Sequence, residues 1–261
     1  KTNTTSICMV MHAKVQALNK AEPPFNSNLL GSLFPKQQLL SQHSGDNKSC
    51  VIVSSAGSMK KSNLGSFIDS HDIVMRFNNA PIEGYEQDVG KKTTIRIVNS
   101  QVVSKSEFRF LEASMFQNVS IAAWDPGKYN ATLNDWLAHP DFDLFTNYKQ
   151  MMMRNSDADV HIIDPKSIWK LWEILRDFSG HQIRKNPPTS GFIGIALLLP
   201  ICNHIHVIEY IPSIRLTSNC HYYDEEINSG CTFGQWHPLA AEKLMAYSMN
   251  TADDFTVFQN G

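Results

Sequence analysis

Residues 50–101 read CVIVSSAGSMKKSNLGSFIDSHDIVMRFNNAPIEGYEQDVGKKTTIRIVNSQ, and the alternation within this stretch decides the fold. CVIVS is a short β-branched run of the kind buried in a parallel sheet. SAGS then turns the chain, and Leu64, Phe67 and Ile68 follow at helical spacing. A strand, a glycine turn and a helix therefore come in sequence. IVMRF (73–77) and TTIRIV (93–98) predict two further strands.

The pattern continues toward the C-terminus. VSIAAW (119–124) and VHIID (160–164) read as strands, and Ile168, Leu171, Trp172 and Leu175 share one helical face. After NPPTSG comes an apolar helix from about Ile193, then the strand HVIEY (206–210), then a last helix opened by Pro238, a residue suited to the first helical position. Strands alternating with helices predict an α/β fold. We expect a single Rossmann-like domain, its mostly parallel sheet flanked by helices. Ligands in such sheets sit at the carboxyl ends of the strands. Residues 1–48, with Pro23, Pro24 and Pro35 and little periodicity, read as an irregular N-terminal arm packed on a catalytic domain of residues 49–261.

With 261 residues, 42% hydrophobic and 18% charged, the chain can bury a sizeable core. A formal net charge of -2 gives no general attraction to nucleic acid. The longest nearly continuous apolar run, Phe192 to Cys202, is too short to span a bilayer and contains Pro200. No signal peptide or transmembrane segment is visible, and a chain starting at Lys1 reads as a fragment without its targeting region. Sequons at Asn3, Asn47, Asn118 and Asn130 together point to the secretory pathway. So do the five cysteines, which form no CxxC pair and read as disulfide partners rather than zinc ligands. Their odd count leaves one thiol over, either free or paired beyond Gly261.

Three segments carry chemistry. SSAG (54–57) could offer backbone N–H groups to a phosphate, and Asn78, Asn99 and Gln101 at strand ends could read a base and a ribose. A tight connection and ordinary turn caps are the plainer readings. Thr189, Ser190 and Gly191 stand where the next helix begins, a place that favours a carboxylate or phosphate or simply an N-cap. His237, in WHPLAAEK, falls at the expected N-cap, where a histidine can act as a general base near neutral pH. CHYYDEE behind Cys220 adds His221 and two tyrosines. DFD (141–143) and DAD (157–159) match the DxD pattern of metal-dependent sugar transferases, but neither has a second cluster at metal spacing. We expect loop carboxylates and no metal. SSAGS is not GxGxxG, which excludes a dinucleotide oxidoreductase.

Taken together, CVIVSSAG…RFNNAP…TTIRIVNSQ resembles the long motif of animal sialyltransferases, and NPPTSGFIGIALLLPIC resembles their short motif. HYYD (221–224) is similar to their third motif and HPLAAE (237–242) to their very short HxxxxE motif, all in family order. WDP at Trp124, NYK at Tyr148 and EYIPS at Glu209 make the β-galactoside α-2,6-sialyltransferases the nearest match. The resemblance implies a GT-A-like fold variant. It also implies inverting, metal-independent transfer of sialic acid from CMP-sialic acid to the 6-hydroxyl of galactose or N-acetylgalactosamine on glycoprotein N-glycans. No cofactor would be required. The setting would be the Golgi lumen, in a type II membrane protein whose signal-anchor lies outside this sequence. Ser55, Asn78 and Asn99 would hold CMP, Thr189, Ser190 and Gly191 would meet the donor's charged groups, and His221 and Tyr222 would lie near the leaving phosphate. His237 would be the base, and Gln101, Trp124, Asp141, Trp236 and Lys243 would line the pocket. Cys50 would pair with Cys202, Cys220 with Cys231, and Cys8 with a cysteine past Gly261. The chain departs from the pattern at Trp236 and Phe142, where close relatives carry Tyr, and at Thr189, which replaces Ser. A transferase of another linkage and a catalytically silent glycan-binding relative are the alternatives; His237 and both Asn residues are retained, which favours an enzyme.

Overall fold

The β-branched runs become a six-stranded sheet because they can be buried on both faces. The strands are β1 (Ser49–Val53), β2 (Ile73–Phe77), β3 (Ile95–Asn99), β4 (Ser120–Trp124), β5 (Val160–Ile162) and β6 (His204–Ile208). Every residue of β2, β4 and β5 is buried. The structure, a computed structural model, describes residues 3–43 and 45–261, without the side chains of Asn3, Thr232 and Phe233; the sequon at Asn3 therefore lies outside the described side chains.

All strand pairs are parallel, in the order β5-β4-β3-β2-β1-β6. The chain steps outward from β1 to β5 and then crosses back to place β6 beside β1, so its direction reverses between these two strands. That reversal opens a crevice above their carboxyl ends.

Among the described residues, twelve α-helices surround the sheet. Those before β3 are α1 (Asn3–Met11), α2 (Leu29–Ser32), α3 (Gly65–Asp69) and α4 (Glu86–Val89). Next come α5 (Ser100–Ser104), α6 (Leu133–Ala138), α7 (Leu144–Arg154) and α8 (Pro165–Ser179). The last four are α9 (Ser190–Leu198), α10 (Ser229–Phe233), α11 (Leu239–Met249) and α12 (Asp254–Asn260). One face of the sheet (Ile52, Met75, Ile97) packs on α8, α9, α11 and α1 through Leu171, Phe192, Met245 and Val10. The other face divides between Val98, Ala123 and Ile162, which meet α5 and α7, and Val51 and Val74, which meet α3 and Tyr222. From Phe192 to Leu198, α9 is buried all round, as a uniformly apolar helix must be. A Cβ on Gly194 would lie 2.7 Å from the Met75 sulfur, so glycine lets α9 rest directly on β2. Disulfides join Cys50 to Cys202 and Cys220 to Cys231, the pairs the resemblance implied; Cys8 is free and exposed.

Four local expectations change. The arm is not irregular throughout, because residues 3–11 form α1, and Ala17 bridges Ile163 beside β5. No α-helix begins at SSAG: a three-residue 3-10 turn (Gly57–Met59) follows, and left-handed Lys61 and Asn63 (φ 65 and 56) delay α3 to Gly65. Pro238 is the residue before α11 rather than its first, and α12 follows it. β6 ends at Ile208, since Glu209 turns left-handed (φ 55). Asn47, Asn118 and Asn130 are exposed, each at positive φ. Among the described residues, no helix is long and apolar enough to cross a membrane.

Candidate active site

At the carboxyl ends of β1, β2 and β3 the predicted amides converge. Asn78 leaves β2 in a left-handed conformation (φ 46), and its Oδ1 accepts the Asn99 backbone N–H at 3.0 Å. Asn99 caps α5, its Oδ1 accepting the Val102 N–H at 3.0 Å. Both oxygens are thus spent on local structure. Among the described residues neither Nδ2 donates within the protein, so the donor end of each amide is left without a protein acceptor. Beside them, Ser55 O accepts the Tyr222 N–H at 3.1 Å, and Ala56 pairs with His221. This contact brings the third motif onto the SSAG turn. Gly57 makes it possible, because a Cβ there would lie 2.5 Å from the Asn219 carbonyl oxygen.

Across the crevice, α9 and α11 meet end to end. Thr189 caps α9 by accepting the Phe192 N–H at 3.1 Å. Its own hydroxyl donates to Glu242 Oε2 at 2.6 Å and its N–H donates to Oε1 at 2.8 Å. Tyr210, just past β6, donates its hydroxyl to Oε2 at 2.6 Å. Glu242 has no exposed surface. Burial holds its carboxyl above the ordinary range, against the pull of these donors and of His237, and burial likewise drives the Tyr210 hydroxyl well up. Three donors on one carboxylate lock the first turn of α11 to the N-terminus of α9. The Ser190 and Gly191 amides remain as the orphan donors of a helix start. Gly191 also admits the Tyr210 ring, which a Cβ would approach to 2.8 Å.

His237 sits half-buried just before α11, with Nδ1 2.8 Å from the Pro187 carbonyl. A carbonyl can only accept, so Nδ1 carries the hydrogen and the neutral ring keeps its lone pair on Nε2. Lys243, one residue past Glu242, is partly buried, which lowers its ammonium pKa against the attraction of Glu242 and Glu209. His221 Nδ1 is 2.8 Å from Asp224, and its ring stacks on Tyr223 at 4.9 Å.

Two expected contact residues turn inward instead. Trp124 is 4% exposed and donates its indole N–H to Ser190 Oγ at 2.9 Å, which leaves the Ser190 hydroxyl hydrogen free to donate. Tyr222 is 1% exposed and donates to the Pro81 carbonyl; burial raises its hydroxyl to about 12. The polar side-chain atoms of both are satisfied inside the protein. Gln101 is exposed and accepts from Lys105 at 3.3 Å. Asp141 is exposed, its carboxyl raised by partial desolvation and by the charge of Asp125. Trp236 is exposed, with its ring against Gly230.

Three residues carry more of the site than the sequence revealed. Asp125 is fully buried and accepts from Trp136 Nε1 at 2.8 Å, Gly127 N at 3.0 Å, Asp141 N at 3.2 Å and Phe142 N at 3.2 Å. It therefore shapes the loop that presents Asp141. Glu209 accepts from Ser58, Ser213 and Arg215, the last at 2.6 Å. Glu242 is the third. The HPLAAE motif marked this carboxylate, but nothing local marks its partners. In the two DxD segments, Asp143 caps α7 and Asp159 bonds His161. Among the described residues, one group of three could hold a metal ion, His221, Asp224 and Glu226, and its His and Asp already bond each other.

Comparison with known proteins fits this geometry. Residues 9–253 match the model for glycosyltransferase family 29 (sialyltransferase), and the chain belongs to that family. More particularly, it is 43% identical over 249 residues to beta-galactoside alpha-2,6-sialyltransferase 2 of Pan troglodytes, covering 95% of this chain and 47% of that protein. The Bos taurus protein of the same name is 40% identical over 262 residues, covering 100% and 53%. The chain thus spans about half the length of these relatives. A crystal structure of a mammalian sialyltransferase aligns with a TM-score of 0.58 at 20% identity, over 93% of this chain and 80% of that one, and shares the fold.

Proposed function

We propose that this domain transfers sialic acid from CMP-sialic acid to the 6-hydroxyl of a terminal galactose or N-acetylgalactosamine on glycoprotein N-glycans, as part of a Golgi-lumenal, membrane-anchored protein. The galactoside acceptor and the 2,6 linkage follow the names of its relatives. The observation that carries the mechanism is the His237–Pro187 bond, which leaves Nε2 as the basic nitrogen.

In this reading Asn78, Asn99 and the Ser55 turn hold the cytidine and ribose. The Ser190 and Gly191 amides, the Ser190 hydroxyl and His221 face the donor's phosphate and carboxylate. The acceptor hydroxyl attacks the anomeric carbon of sialic acid while its proton passes to His237 Nε2. The bond from that carbon to the phosphate oxygen breaks, and its electron pair leaves with CMP. Attack from the face opposite the leaving group inverts the centre. A monophosphate leaving group develops less charge than a diphosphate, which hydroxyls, helix amides and His221 can stabilise without a metal ion. Gln101, Asp141, Trp236 and Lys243 form the acceptor rim. His237→Ala should lower kcat by about 10²–10⁴-fold with the donor KM little changed. Transfer at the undiminished rate would remove His237 from the base role.

A further inference from the structure

The sheet holds two buried arginines beneath the donor side, and neither has an ion-pair partner. Arg76 on β2 and Arg96 on β3 stand in register, each about 1% exposed. Among the described residues no carboxylate lies within ion-pair distance of either. Arg76 spends its donors at the amino-terminal side of β3: Nε reaches the Lys92 backbone carbonyl at 3.1 Å and the Thr93 hydroxyl at 3.0 Å. Arg96 reaches the other way. Its Nη1 donates to the Asn78 carbonyl at 2.8 Å and the Ala80 carbonyl at 3.2 Å, at the turn that presents Asn78. Its Nε has no acceptor, and Phe116 packs over the guanidinium at 5.9 Å.

A charge this deep is disfavoured unless something compensates it. Burial pulls Arg96 down to about 10, and the like charge of Arg76 adds to that effect, yet it remains a cation at neutral pH. Two carbonyl dipoles offset part of the charge, and among the described residues no carboxylate within ion-pair distance supplies the counter-charge. Arg96 lies against the turn that presents Asn78 and within electrostatic reach of Tyr222 and Tyr223 in the third motif.

We propose that Arg96 is a positioning residue whose uncompensated charge makes the floor of this crevice selective for a nucleoside monophosphate over the uncharged nucleoside. The poorly screened positive field of Arg96 acts on the phosphate, whereas its grip on the left-handed turn that aims Asn78 serves CMP and cytidine alike and so adds nothing to the preference. The inference rests on the donor reading given above. It adds the source of the phosphate preference, from a residue that does not touch the ligand.

The test measures CMP and cytidine binding by calorimetry in the wild-type chain, Arg96→Met and Arg96→Lys. A unit charge about 10 Å from the phosphate at an effective dielectric near 20 corresponds to roughly a tenfold preference. Arg96→Met should weaken CMP by about tenfold and cytidine by less than about threefold, whereas Arg96→Lys should keep most of the CMP preference. Equal weakening of both ligands by Arg96→Met would reduce Arg96 to a structural part and overturn the proposal. If Arg96→Met does not fold, the wild-type chain decides. A buried charge is weakly screened, so the CMP-to-cytidine preference should survive between 0.05 and 0.5 M salt to within about threefold. Collapse of that preference with salt would assign it to surface lysines. A wild-type chain that binds neither ligand defeats the donor reading itself, whereas one that binds both equally defeats only the inference.

Discussion

The two sides of the crevice are built on different principles. On the strand side, Asn78 and Asn99 are aimed by backbone: one is held in a left-handed turn, the other caps the helix that follows it, and their partners lie within 21 residues in sequence. On the helix side, His237 and Ser190 are held by a side-chain lock in which Glu242 reaches back 53 residues to Thr189 and 32 to Tyr210. Short-range anchoring tolerates change one residue at a time. A lock around a single buried carboxylate does not, so damage should differ in kind between the two sides.

Breaking the lock has the larger effect. Glu242→Ala leaves the Thr189 N–H, the Thr189 hydroxyl and the Tyr210 hydroxyl without their acceptor. It should cost about 2–5 kcal/mol in denaturant unfolding and at least about 10²-fold in transfer rate, as α11 shifts His237 off its line. A variant with wild-type stability and rate would show that the two helices meet without that carboxylate. Asn99→Ala on the strand side should be milder. Losing the cap costs about 1 kcal/mol, and losing one amide donor should raise the donor KM by up to about tenfold with kcat nearly intact. A kcat loss as large as that of Glu242→Ala would erase the contrast.

The smallest effect falls on the acceptor rim. Phe142 lies under the Lys105 ammonium at 5.4 Å, and its N–H is fixed by Asp125. Phe142→Tyr adds one hydroxyl to an already ordered loop, so the acceptor KM should change by about two- to tenfold and the donor KM not at all. A change in donor KM would mean that the two sides are not separable.

This contrast also explains how far the sequence could be read. Strands announce themselves locally, because a run such as Ile73–Phe77 must be apolar to be buried on both faces. Asn78, Asn99 and Thr189 were visible as polar residues placed where strands end or a helix begins. What escaped were consequences of tertiary contact. Glu242 ends the HPLAAE motif, but its role stays hidden until Thr189 and Tyr210 close on it. Asp125 organises Trp136, Asp141 and Phe142 only after the loop has folded round it. Tyr222 and Trp124 are both buried, and nothing in residue type says that their rings turn inward. Residues 3–11 form a helix that lacks a strong amphipathic pattern, and it is held by packing on α8 and α11.

The most direct test of the whole account is a transfer assay with the complete chain, CMP-sialic acid and a panel of galactose- and N-acetylgalactosamine-terminated glycans, with EDTA present throughout and product linkage determined. The account predicts sialic acid on the 6-hydroxyl at a rate that EDTA leaves unchanged. Abolition by EDTA, or product joined only through the 3-hydroxyl, would contradict it.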